Sequence, residues 1–155
     1  MSENLSRLDE ERETAADYLE ELLDIADLDG DLETYVTNGR PVVEITGGAL
    51  GALVGEEGEV LEALQELSRL AVHTQTGERS RLLVDIDGHR ARRKESLVEK
   101  AKAAIAEVQS TGVAVAMSSM NPYERKIVHD AVAEAGLSSE SEGEEPHRHV
   151  VVLPA

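Results

Sequence analysis

"VGEEGEV", residues 54–60, sets two glycines, Gly55 and Gly58, around two glutamates, Glu56 and Glu57. Glycine reaches backbone conformations closed to other residues, so a G-x-x-G segment ahead of an apolar-periodic run reads as a tight turn opening a helix. Backbone amides at such a helix start attract anions. The carboxylates act the other way. They suit the helix macrodipole by about 0.3–1 kcal/mol each, and they repel a phosphate by about 1 kcal/mol per pair in a water-like dielectric. Whether the segment is a clamp, a disabled clamp or a plain turn depends on its surroundings.

Upstream, residues 1–9 read as a polar tail. A helix is expected from about Arg12 to Asp27, with Leu19, Leu22, Leu23 and Ala26 forming one apolar stripe. "DLETYVTNGRPVVEIT" (31–46) predicts two strands around Asn38-Gly39, the strongest short hairpin signal, with Pro41 tolerated at a strand start. "GGALGALVG" (47–55) predicts a brief helix running into the turn. Downstream, a helix is expected from Glu59 to about His73, with Val60, Leu61, Leu64, Leu67, Leu70 and Ala71 facing inward. "SRLLVDID" (80–87) then reads as a strand with Leu82, Val84 and Ile86 on one face.

After a break near Asp87-Gly88, a long helix is expected over about 91–109, and a strand at 113–117. "NPYERKIVHDAVAEAG" (121–136) has well-marked helix ends: Asn121 as N-cap, Pro122 in the first position, Glu124 completing the cap and Gly136 just past the end. "SSESEGEEP" (138–146) reads as a solvated polar loop and "HRHVVVLP" (147–154) as a final strand. The fold class is α+β, with two small domains.

Composition narrows the function. With 41% apolar residues among 155, the chain has enough to build cores. No run of 18 apolar residues offers a membrane span, and the acidic N-terminus resembles neither a signal nor a transit peptide, so a cytoplasmic protein is expected. Without cysteine there is no disulfide framework and no thiolate metal site. The net charge of −17 opposes generic nucleic-acid binding, yet it is unevenly spread. Residues 1–60 carry 3 basic and 17 acidic side chains, whereas residues 61–112 carry 9 and 8. Aromatics are limited to Tyr18, Tyr35 and Tyr123, which excludes a platform of stacked aromatic rings. His147 and His149 alternate on a strand but lack a third metal ligand, and no nucleophile elbow, P-loop or dinucleotide fingerprint is present. No catalysis, cofactor, metal or small-molecule substrate is expected.

Two clusters carry positive charge. "HRARRK" (89–94) gathers Arg90, Arg92, Arg93 and Lys94 at a helix start, where cations oppose the dipole. They either pair with the acidic first third of the chain or contact phosphate. Arg125 and His129 lie four apart on one helical face, with Lys126 beside them. Arginine bonds phosphate bidentately, and histidine bonds or stacks on a base or sugar.

The α-β-β-α-GxxG-α-β order from Arg12 to Asp87 resembles a KH domain of the type II arrangement. Its loop departs from the basic loops of KH domains that grip single strands. "MNPYERKIVHDAV" with "SESEGEEPHRHVVVLP" resembles the R-three-H domain, named for an Arg-x-x-x-His motif that Arg125 and His129 match; Arg148 matches a further basic position. The two together, over about residues 12–155, are similar to the Jag (KhpB) family of bacterial RNA-binding proteins. The resemblance implies a KH-like domain over 10–88 and an R-three-H domain over 89–155 that includes a connecting helix, 91–110. It also implies a chain without the additional N-terminal domain of many members. Single-stranded RNA (or single-stranded DNA) is the implied ligand. It would be held by Gly55, Glu56, Glu57, Gly58, Arg90, Arg92, Arg93, Lys94, Arg125, Lys126, His129 and Arg148, with weak sequence preference. A small single-KH protein or a second copy is the implied protein partner, together with a peripheral link to the membrane protein insertase. A KH-fold protein-interaction scaffold is the alternative.

Overall fold

The computed structural model describes residues 2–155. Their elements are α1 (Ser2–Ile25), β1 (Asp31–Thr37), β2 (Arg40–Thr46), α2 (Gly51–Val54), a single 3-10 turn (Glu56–Gly58), α3 (Glu59–Thr76), β3 (Leu83–Ile86), α4 (His89–Thr111), β4 (Val115–Ser119), α5 (Pro122–Glu134), β5 (Ser138–Glu142) and β6 (His149–Leu153). The chain folds as two α+β units, one ending at Arg90 and one spanning Ala91–Ala155.

In the first unit β2 is the central strand, antiparallel to β1 and parallel to β3. Asn38 and Gly39 both take positive φ (52° and 70°), the geometry of the two-residue hairpin turn. A parallel pair needs a long crossover, and here α2, the Gly55–Gly58 turn and α3 supply it. α1 and α3 pack together with the sheet around Leu19, Val43, Ile45, Leu61, Val84 and Ile86. The α-β-β-α-α-β order expected from the sequence is the order observed.

Three expectations for this unit need correction. Residues 2–9 are helical rather than a tail, because Leu8 continues the apolar stripe of α1 and is itself buried; residue 1 lies outside the described residues. On α3 the inward side chains are Leu61, Leu64, Gln65, Ser68 and Val72, whereas Val60, Leu67 and Leu70 are exposed. Two polar groups face the core because their bonds are met there: Gln65 Oε1 accepts from Val84 N at 3.0 Å, and Ser68 donates to Leu64 O at 2.8 Å. Finally, α4 begins at His89 rather than near 91. Asp85 Oδ1 accepts from Ile86 N and Arg90 N, and so caps the turn that opens the helix.

In the second unit β6 is central, antiparallel to β4 and β5. Leu97, Ile105, Val108, Val128, Val132, Val150 and Val152 form its core. Asn121 Oδ1 accepts from Glu124 N at 2.9 Å, Pro122 opens α5, and Gly136 follows it at φ 83°, as its end signals require. The first strand is displaced to Val115–Ser119 from the expected 113–117. Part of the expected polar loop is a strand. Ser138–Glu142 pairs along β6 with Ser139 and Ser141 turned inward and Ser138, Glu140 and Glu142 outward.

Candidate functional site

In the first unit the Gly55–Gly58 turn is built from left-handed backbone. Gly55, Glu57 and Gly58 have φ of 75°, 55° and 81°. Gly55 N donates to Gly51 O at 3.0 Å and Gly58 N to Gly55 O at 3.3 Å, so two of the four loop amides serve the turn itself. Glu56 and Glu57 are exposed, and Gly58 is buried. A Cβ on Gly58 would sit 2.6 Å from His89 Nε2, so an imidazole lies directly against the loop. Sequence reasoning gave His89 no role, since 30 residues of chain separate it from Gly58 and only the fold brings them together.

Arg90 belongs to this unit and is consumed by it. Its Nε donates to Val84 O at 2.8 Å, Nη2 donates to Gln65 Oε1 at 2.8 Å, and Nη1 pairs with Glu62. Arg90 is therefore paired, but with Glu62 on α3 and not with the acidic first third of the chain that the sequence suggested.

The second unit holds the other cations. Arg93 is pinned to α5 by Glu124, with Nε at 2.9 Å and Nη2 at 2.6 Å from Oε2, and both side chains are largely buried. Arg125 is only 8% exposed. Its Nη1 donates to Met120 O at 2.7 Å and meets Glu145 Oε1 at 2.8 Å. A carboxylate thus occupies part of the guanidinium edge that a phosphate would take. His129 lies between β5 hydroxyls, with Nδ1 2.6 Å from Ser139 Oγ and Nε2 2.8 Å from Ser141 Oγ. A neutral imidazole donates through one nitrogen and accepts through the other, so this geometry holds the ring in place. Arg148 Nη1 donates to Gly143 O at 2.9 Å and closes the β5–β6 loop. Lys94 and Lys126 are exposed and make no side-chain hydrogen bond or ion pair with the described residues; Arg92 is exposed but engaged.

The structure adds Tyr123. It is 64% exposed on the first turn of α5, three residues before Lys126 and therefore on the same face. Three tyrosines are too few for an aromatic platform, but one exposed ring is enough to stack a single base. Its signal was its place in the first helical turn, beside the N-cap, where the ring projects to solvent. Among the described residues no group of three or more His, Cys, Asp or Glu side chains could hold a metal ion. No helix among them is long and apolar enough to cross a membrane.

Comparison with known proteins bears on the second unit directly. Residues 95–154 match the R-three-H domain model. Over 144 residues, 91% of this chain, the sequence is 34% identical to the RNA-binding protein KhpB of Clostridium symbiosum, covering 65% of that protein. It is 33% identical over 111 residues, 70% of this chain, to KhpB of Bacillus subtilis, covering 53% of it. It is 30% identical over 137 residues, 88% of this chain, to KhpB of Lactiplantibacillus plantarum, covering 42% of it. The chain spans less than two thirds of the length of these relatives.

Proposed function

From the premise that this chain belongs to the Jag (KhpB) family, we propose that it binds single-stranded RNA, without catalysis and with weak sequence preference, as a cytoplasmic post-transcriptional regulator or RNA chaperone. The observation that carries the reading is the outer face of α5. Tyr123 and Lys126 stand exposed there, next to the Arg125–His129 pair, within the segment that matches the R-three-H domain. Lys126 supplies phosphate charge, Tyr123 supplies a stacking surface, and Arg125 becomes available where Glu145 yields to a phosphate. Lys94 and Arg92 add charge at the start of α4. Contacts of this kind position a strand without reading its bases. The Gly55–Gly58 turn of the KH-like first unit contributes shape and main-chain contacts, with Glu56 and Glu57 limiting its grip.

Titration of labelled single-stranded RNA tests this. Tyr123→Ala and Lys126→Ala change exposed side chains, so the fold survives and affinity reports the surface. Loss of the stacked base is expected to weaken binding by about 1–3 kcal/mol, roughly five- to 160-fold. Lys126→Ala is expected to reduce the salt slope by about 0.7. A wild-type chain that fails to bind at low salt sinks the proposal; variants that bind like wild type sink the assignment to α5.

A second reading, a protein-interaction scaffold, has its own observation. Val60, Leu67 and Leu70, 36%, 50% and 59% exposed, form an apolar stripe on the outside of α3. A small single-KH protein or a second copy is the partner this stripe fits, and a peripheral link to the insertase would run through such a partner. Sedimentation of wild type against Leu67→Glu measures it: a monomer in both, with no single-KH protein bound, removes the reading.

A further inference from the structure

Behind the C-terminal half of α3, wholly within the first unit, lies a pocket of about 440 Å³ lined by Glu66, Arg69, Leu70, His73, Arg79 and Ser80. Its wall is fixed. Arg69 Nε donates to Leu82 O at 2.8 Å, and Leu82 N in turn donates to Ser80 Oγ at 3.1 Å, so α3 and the segment before β3 are stitched together at this point. The carboxylates nearby are already held in ion pairs, Glu66 with Arg69 at 3.2 Å and Glu78 with Arg7 at 3.0 Å. Arg79 and His73 are exposed and have no side-chain hydrogen bond or ion pair with the described residues. Ser80 keeps its hydroxyl proton for donation, because the bond from Leu82 N uses only an oxygen lone pair. The pocket therefore presents guanidinium, imidazole and hydroxyl donors beside an apolar surface, Leu70, which is 59% exposed.

A chain of net charge −17 repels anions at a distance, so a site for one must act at short range through oriented donors. This pocket is built that way. We propose that it is a phosphate-binding site that takes a phosphomonoester: the phosphate on Arg79, His73 and Ser80 against the Arg69 wall, and the attached sugar or base over Leu70. The guanidinium fork suits phosphate oxygens, and the volume suits a mononucleotide. Such a group reaches the pocket either as a free mononucleotide or as the phosphorylated end of an RNA strand. The site is independent of α5 and stands whether or not α5 binds RNA.

The test is an amide NMR titration of the full chain with adenosine monophosphate and with inorganic phosphate, ionic strength held constant with chloride. Saturable shifts are expected at Leu70, His73, Arg79 and Ser80, with affinity about five-fold or more weaker in Arg79→Ala and unchanged in Lys102→Ala. The source is read by comparing 5′-phosphorylated with 5′-hydroxyl single-stranded RNA. A gain of about five-fold for the phosphorylated strand, lost in Arg79→Ala, assigns the pocket to strand ends. Saturation by adenosine monophosphate with no difference between the strands assigns it to free mononucleotides. No saturable shift with any of these probes, or shifts that persist in Arg79→Ala, overturns the proposal.

Discussion

Arg125 has its charge spent before any ligand arrives. Its guanidinium is buried and bonded to Met120 O and Glu145, and it is the Glu145 carboxylate, 51% exposed, that can leave. Glu145→Gln is therefore expected to tighten RNA binding, several-fold at low salt, by removing a charged competitor for the guanidinium. Arg125→Ala is expected to cost about 1–3 kcal/mol of stability in urea unfolding, because it strands a buried carbonyl. Only a Glu145→Gln protein that binds no better than wild type speaks against the competition. At another position a residue titrates out of its ordinary range. The Tyr35 hydroxyl donates to Glu44 Oε1 at 2.7 Å; that bond first, then burial and neighbouring carboxylates, push its pKa from 10.0 to about 12. The folded state holds this proton more tightly than the unfolded chain does. The stabilisation is thus complete below pH 10 and lost as pH rises through about 12. Absorbance titration of phenolate should show a late step in wild type that Tyr35→Phe lacks. The Arg125–His129 spacing was legible in the sequence. Their partners were not: Glu145, Ser139 and Ser141 are separated from them by a turn whose path only the fold sets.

At the scale of elements, local signals that act within a few residues were read well. The Asn38-Gly39 hairpin, the cap of α5 and the Gly55–Gly58 turn all depend on near neighbours. The turn also depends on one distant contact, with His89. Gly58→Ala would force a Cβ into a left-handed position at φ 81° and against that imidazole. It is expected to cost about 1–3 kcal/mol, measured as a lowered urea midpoint; an unchanged midpoint would mean that His89 moves aside freely. The misread elements share a cause. β5 has no β-branched or aromatic residue, so composition makes it a loop. It is a strand because β6 meets its backbone and α5 covers its serines with His129. α3 carries apolar residues around most of its circumference, so periodicity could not choose a face. The buried side is the one on which Gln65 meets Val84 N and Arg90, while Ser68 tolerates burial because its hydroxyl bonds Leu64 O within the helix.

For the whole molecule the balance of charge governs binding. At −17, an RNA strand bound as proposed would approach against net repulsion and would have to be held by local cations. With about four phosphate contacts, log K is expected to fall with log salt at a slope of about −3. The double variant Glu56→Lys/Glu57→Lys removes two repulsive charges from the Gly55–Gly58 turn and is expected to tighten binding at low salt. Unchanged affinity would place that loop away from the strand. The sequence by itself determined the order of elements in the first unit, the hairpin, the ends of α5 and the residues with phosphate chemistry, because these follow from backbone preferences and short-range spacing. Tertiary structure alone decided which cations remain for a ligand. Arg90, Arg93 and Arg125 are taken by Glu62, Glu124 and Glu145, while Lys94, Lys126 and Arg79 are exposed and have no ion-pair partner among the described residues. The reason is physical: an ion pair forms between whichever side chains the packed backbone brings within a few ångströms, and that distance is not written in the spacing along the chain.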